Sequence, residues 1–228
     1  MTQDAPTTPT PASPPASAPD DRAPITTPRS SGVREWVILL VVAILGLVVD
    51  LGSKYWAFHS IAPQPVVIRK SDVLRMSAID PHGLMQLIPP HPPVGPRYVF
   101  QFQLVLNNGA VFGTGQGQRW VFIGFTVVVL IIALGVFARH GVRGSIATPV
   151  AVGLVLAGGL GNLYDRIVYA CVRDFLHPLA GVPLPFGLRW PNGSPDLWPY
   201  VSNVADAFLL VGIAIIVVRL WRTDAERR

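Results

Sequence analysis

Apolar residues along this chain gather into four long blocks. Trp36 to Val49 carries no charge, and the segment around it, about 35–58, is long enough to cross a hydrocarbon core of ~30 Å as a helix. A second block, WVFIGFTVVVLIIALGVFA, fills the nineteen residues between Arg119 and Arg139 and predicts a span over 120–138. The third span is predicted over about 145–164, with Pro149 in its first turn, where a missing N–H does little harm. The fourth is predicted over about 197–221. Between the first two blocks, PRYVFQFQLVLNNGAVFG alternates apolar and polar residues and predicts a strand around Tyr98–Leu106. The stretch before it, containing PHGLMQLIPPHPPVGP, is Pro-rich and reads as irregular. Residues 1–34 have no apolar period and are rich in Pro, Thr, Ser and Ala, which predicts a disordered tail. They do not form a secretory signal peptide, and the first block is too long for an h-region, so it should stay uncleaved. The expectation is an all-α integral membrane protein of four transmembrane helices with a small extracytoplasmic β region. Its membrane domain covers 35–222, between tails at 1–34 and 223–228.

Composition agrees with this picture and narrows it. Half of the 228 residues are hydrophobic and only 14% are charged, against about a quarter in soluble domains. A single cysteine, Cys171, excludes an internal disulfide framework and a Cys-rich metal site. The net charge of +5 comes without interleaved aromatics and does not suggest a nucleic-acid surface. The basic residues speak instead to topology. ARHGVRGS, between the second and third blocks, and the terminal RLWRTDAERR are short and basic, so both belong in the cytoplasm by the positive-inside rule. Both termini are then cytoplasmic, in agreement with Arg22, Arg29 and Arg34, and the long connections 59–118 and 166–196 face outward.

Placed on this topology, the polar residues converge. Asp50 and Lys54 lie four apart near the outer end of the first span. Asn162, Asp165 and Arg166 end the third, and Asn203 and Asp206 begin the fourth. Residues three or four apart share a helix face, so three helices present polar faces at one depth. Asp206 lies thirteen residues before Arg219, on the order of 20 Å along a helix, which puts it inside the membrane. A carboxylate there costs roughly 2.5–3.5 kcal/mol near mid-bilayer and normally faces a bundle interior or a wet cavity. Asp50–Lys54 and Asp165–Arg166 could be structural pairs that pin helix ends. Asp206 has no basic residue within a turn, so its partner must come from elsewhere. The glycines of GGLG at 158–161 follow no strand and read as close helix packing, not a phosphate cradle. There is no HExxH pair among the five histidines and no GxSxG elbow. What remains is carboxylate chemistry, or else an acid relay in a small proton- or ion-coupled transporter.

Acids collected on the outer side and long outward loops favour carboxylate chemistry over the transporter, which stays the alternative, and four motifs in order add to this. VVDLGSK (48–54), NNGAVFG (107–113), GGLGNLYDRIVYACVRDFL (158–176) and SNVADAFLLVG (202–212) resemble the motifs of lipoprotein signal peptidase, or signal peptidase II, a bacterial intramembrane aspartic peptidase family. Three positions depart from the family pattern: Val111 stands where alanine is usual, Arg173 where valine is, and Ser202 where phenylalanine is. The resemblance implies an endopeptidase that removes signal peptides from prolipoproteins by cutting before a diacylglyceryl-modified cysteine. It also implies catalytic aspartates at Asp174 and Asp206, site-shaping roles for Asn107, Gly109, Asn162, Asp165, Arg166, Asn203, Asp50 and Lys54, and no metal or cofactor. The implied partners are prolipoproteins and membrane lipid, with no nucleic acid. The implied setting is the bacterial inner membrane, with the site toward the outer leaflet and the chain acting as a monomer. Nine residues separate Asp165 from Asp174, half a turn beyond two full helical turns at ~100° per residue. On one continuous helix only one of them could face Asp206. The spacing of thirty-two positions from Asp174 to Asp206 is longer than the family's pattern and carries a Pro/Gly-rich insertion, AGVPLPFGLRWPNGSPDLWP.

Overall fold

The computed structural model describes residues 32–80, 83–109, 118–140, 145–191 and 193–226. The tail 1–31, the connection 141–144 and the second half of the NNGAVFG motif, 110–113, lie outside the described residues. Helix α1 covers Val33–Ser60, and α2, Lys70–Ile79, follows it; strand β1 is Phe100–Asn107. Helices α3, Arg119–His140, and α4, Ala147–Val168, then precede strand β2, Val172–Pro178, and helix α5, Val204–Glu226. Four of these helices are long and apolar enough to cross a membrane: Val33–Ser60, Arg119–Arg139, Ala147–Val168 and Val204–Arg222. The protein is therefore a mostly helical membrane protein with a small two-stranded antiparallel sheet.

Two boundaries differ from the sequence expectation in ways that shape the site. The third span does not stop at 164 but runs to Val168, carrying Asp165 and Arg166 within its last turns. The fourth does not begin at 197 but at Val204. Residues before it are held extended, because Ser202 exchanges backbone hydrogen bonds with Leu176 and accepts a further one from the Phe175 N–H. The ten-residue α2 lies in the outward connection 59–118, ahead of the Pro-rich stretch, where the sequence pattern predicts no helix; it buries Val73 alone, too little apolar periodicity to stand out.

Helix α4 is the centre of the bundle, with 61% of its span buried against 11% for α3. Lipid is as apolar as leucine, so helices gain by approaching closely through small residues. A side chain at Gly153 would meet the Leu39 carbonyl of α1 and Val42; one at Gly158 would meet the Ala205 carbonyl and Leu209 of α5. From the other side, a side chain at Gly212 of α5 would run into the Ala151 carbonyl of α4. Beyond the bundle, Phe58, Val66, Val73, Leu84, Ile88, Leu104, Leu106 and Phe175 form a second core. It joins the end of α1, α2 and the sheet, and it fixes β2 over the end of α4.

Candidate active site

Asp174 sits mid-strand in β2, opposite Val105 of β1, with a bulge in β1 between Phe102 and Val105. Asn107, two residues further along β1, is on the same face and donates from Nδ2 to Asp174 Oδ2 at 3.1 Å. Asn107 Oδ1 accepts the Gly109 N–H at 3.0 Å, an Asx turn that fixes the amide. On the other edge of β2 the extended segment ending at Ser202 delivers Asn203, whose Nδ2 donates to Asp174 Oδ1 at 2.5 Å. The buried carboxyl is thus held between amides from the chain segments on either side of its strand.

Asn203 also begins α5. Its Oδ1 accepts the Asp206 N–H at 3.2 Å, while its own N–H donates to Asp206 Oδ2 at 3.1 Å. This is a reciprocal capping arrangement, with Asp206 in the first helical turn, where the helix dipole favours negative charge. Asn203 and Asp206 meet as cap and third helical residue rather than as neighbours on a helix face. The partner Asp206 lacked in its own neighbourhood is Asn162 of α4, which donates from Nδ2 to Asp206 Oδ1 at 2.8 Å.

Asn162 closes the circuit. Its Oδ1 accepts from Asn203 Nδ2 at 3.2 Å and from Lys54 Nζ at 3.0 Å. An ammonium has donors only, so Lys54 assigns the oxygen to its own side and turns the NH₂ toward Asp206. Lys54 bonds Asp50 Oδ2 at 2.8 Å, and Asp50 Oδ1 in turn accepts the Ala205 N–H of α5 at 2.9 Å. Both residues are fully buried. Gly161 leaves the room this needs, since a side chain there would collide with the Asp50 carboxylate.

Asp165 has different partners from those its neighbourhood suggested. Arg166 and Asn162 do not hold it; Arg173 does. Its Oδ1 accepts from Arg173 Nη2 at 2.8 Å, its Oδ2 accepts the Arg173 backbone N–H at 3.0 Å, and Lys54 Nζ lies 3.6 Å away. Helix α4 ends at Val168 and the chain turns through Ala170, at φ 65°, into β2. That break removes the half-turn conflict between Asp165 and Asp174, and adjacent Arg173 and Asp174 leave the strand on opposite faces. Arg173 stood in the sequence only as a departure from valine; a charge between buried Val172 and Asp174 was the available signal. Arg166 points elsewhere, donating to the Gly109 and Asn162 carbonyls at 3.4 Å with its guanidinium over the Phe122 ring.

Burial, and then the Asp206 carboxylate, push the Asp174 carboxyl up to about 8 against the pull of Asn203 and Asn107. Burial, helped by Asp165 and Asp174, also holds the Cys171 thiol far above its usual range, so it offers no thiolate nucleophile. The long insertion leaves the site intact because it folds out as a hairpin. Leu184 N–H donates to Pro195 O and Leu197 N–H to Val182 O, and the chain returns to β2 at Ser202.

Residues 42–222 match the sequence profile of the family described as signal peptidase (SPase) II. The chain belongs to the signal peptidase II family. A lipoprotein signal peptidase of Halothermothrix orenii is 34% identical over 126 residues, covering 55% of this chain and 73% of that protein. One of Desulfitobacterium hafniense strain DCB-2 is 30% identical over 137 residues, covering 60% of this chain and 78% of its own. A bacterial membrane enzyme solved at 1.9 Å by the in meso method shares the fold, with a TM-score of 0.56 at 20% identity, over 85% of this chain and 96% of the other. As a signal peptidase II, the protein is a multi-pass membrane peptidase that removes signal peptides from prolipoproteins.

Proposed function

We propose that Asp174 and Asp206 are the general acid and base of an aspartic peptidase that cuts prolipoproteins within the membrane, just before a diacylglyceryl-modified cysteine. The observation that carries this reading is the pair of cross-bonded asparagines. Asn162 and Asn203 bond each other, and each also donates to one of the two carboxyls. The carboxyls therefore belong to one polarised unit and feel each other's charge. The bonded cluster has four carboxylates (Asp50, Asp165, Asp174, Asp206) and three cations (Lys54, Arg166, Arg173), so one proton on the dyad balances it. Asp174, buried and with no ion-pair partner among the described residues, is the natural seat of that proton. Asp206, half-buried at a helix N-terminus with two donors on it, is the member placed to act as the base.

In the first step water gives a proton to Asp206 and its oxygen attacks the scissile carbonyl carbon. Asp174 protonates the carbonyl oxygen, forming a gem-diol. Collapse breaks the C–N bond: Asp206 passes its proton to the leaving amine, and one gem-diol hydroxyl returns a proton to Asp174. The products are a free carboxyl and a free amine on the lipidated cysteine, with the dyad restored. The remaining residues keep the roles of shaping this centre. Asn107, Asn162 and Asn203 aim the carboxyls, Asp50 and Lys54 brace α5 and Asn162, and Arg166 holds the Gly109 carbonyl just past the end of β1. The site faces the outer leaflet of the inner membrane.

Single-turnover cleavage of a diacylglyceryl prolipoprotein, normalised to folded enzyme, tests the assignment. Asp174→Asn and Asp206→Asn should each lower the rate by at least ~10³-fold while unfolding cooperatively. Asp165→Asn should lower yield yet leave measurable turnover. Full activity in Asp174→Asn, with none in Asp165→Asn, would move the dyad to Asp165 and Asp206.

A further inference from the structure

The insertion hairpin, 179–199, carries a turn whose sequence disagrees with its geometry. Leu188 N–H donates to Pro185 O, and the two residues between, Phe186 and Gly187, have φ of 61° and 70°. A turn with both central residues at positive φ favours Asn, Asp or Gly in the first of them. Phe186 occupies it instead, a bulky side chain in a backbone region where such residues are outliers. Its ring gains nothing inside the protein, being 97% exposed, and Leu188 beside it is 59% exposed. Whatever favours phenylalanine here lies outside the chain.

Three further observations identify it. The hairpin is internally ordered: Trp190 Nε1 donates to the Asp196 carbonyl and Arg189 to the Gly193 carbonyl, so its apolar tip is presented on a fixed support. Its returning arm carries Trp198, and Tyr200 follows just past it; with Trp190 they form a chain of edge-to-face rings. That cluster ends four residues before Val204, where the α5 span begins. Aromatic rings at that position form the belt that sits at headgroup level. Arg189, exposed beside Leu188, adds a cation suited to anionic headgroups. The apolar tip thus leads along the chain, through the aromatic cluster, to the start of the α5 span.

We propose that hairpin 179–199 is an interfacial anchor, with Phe186 and Leu188 seated among the lipids of the leaflet on the site's side of the membrane. The anchor holds the end of β2 at a set depth. Only its value for aligning a scissile bond rests on the catalytic reading above; insertion itself does not.

The test uses the full chain, Cys171→Ala, in nanodiscs of phosphatidylcholine and phosphatidylglycerol without substrate. An environment-sensitive dye is attached at Phe186→Cys, at Leu188→Cys as a second position, and at Ile131→Cys of α3 as a lipid-exposed standard. Lipid spin-labelled near the headgroup should quench the hairpin dyes at least twofold, and aqueous iodide should quench them at least fivefold less than free dye. Full iodide quenching with no effect of spin-labelled lipid would overturn the anchor. Protection from both quenchers would also overturn it, by pointing to a protein surface such as a second copy of the chain. Loss of activity in Asp174→Asn has no bearing on this outcome, so the two readings fail separately.

Discussion

At the scale of single residues the site depends on a few charges that cannot be moved independently. Arg173 and Lys54 both hold Asp165, and removing one partner of a buried pair leaves an uncompensated charge at a cost of about 3–5 kcal/mol. Arg173→Met should fall near the lower end of that range, because Lys54 and the backbone N–H of residue 173 remain. Chemical unfolding in detergent measures it, and the double variant Asp165→Asn/Arg173→Met should lose less than the sum of the single losses. Asp174 makes a second prediction, about pH. An unfolded chain ionises this residue in the ordinary carboxylate range, near ~3.9, whereas the folded protein keeps the proton to about 8. The folded pKa is the higher one, so the stability it contributes is complete below the ordinary range and is lost as pH rises through about 8. Asp174→Asn cannot titrate. Its stability relative to the parent should be lowest near pH 4 (about the ordinary carboxylate value), grow with pH, and level off above about 8. A gap independent of pH would show that Asp174 is not the protonated member.

At the scale of elements, helix contacts through glycine set how closely α4 meets its neighbours. A methyl at Gly158 would strike the Ala205 carbonyl, one residue before Asp206 on α5, and would push apart the two helices that carry Asn162 and Asp206. Gly158→Ala should therefore destabilise by ~1–3 kcal/mol and reduce cleavage as well. Gly124 and Gly135 of α3 have nothing within 4 Å of such a methyl. Gly124→Ala or Gly135→Ala should be neutral or stabilising by up to ~1 kcal/mol. Thermal unfolding of the three variants in one detergent gives the comparison, and an equal loss at all three positions would refute the packing argument.

For the whole molecule the question is which way the bundle faces. If the short basic connection and the C-terminus are cytoplasmic, Arg189 lies outside. An impermeant maleimide added to intact cells should then label Arg189→Cys. Cys171 can stay in place as an internal control, because it is fully buried and its thiol is held protonated. Labelling only after lysis would reverse the orientation. The family match begins at residue 42, so removing residues 1–31 should leave insertion and cleavage at parental levels.

The sequence by itself determined the four spans, the strand before the second of them, the family, and the set of polar residues at one end of the bundle. These are legible because a bilayer demands about twenty apolar residues per helix and makes each intramembrane charge conspicuous. Tertiary structure alone decided who bonds whom. Asp206 finds Asn162 across forty-four residues, and Asp50 caps a helix one hundred and fifty-five residues away. Asp165 passes over its chain neighbour Arg166 for Arg173, because α4 ends and the strand folds back across it. The late start of α5 was hidden for the same reason. Residues before Val204 are apolar enough to be helix, but hydrogen bonds to β2 hold Ser202 extended, and only that pairing puts Asn203 where it can both cap α5 and hold Asp174. Local pattern reports which groups must leave water; their partners depend on where the backbone turns, and long-range pairing sets those turns.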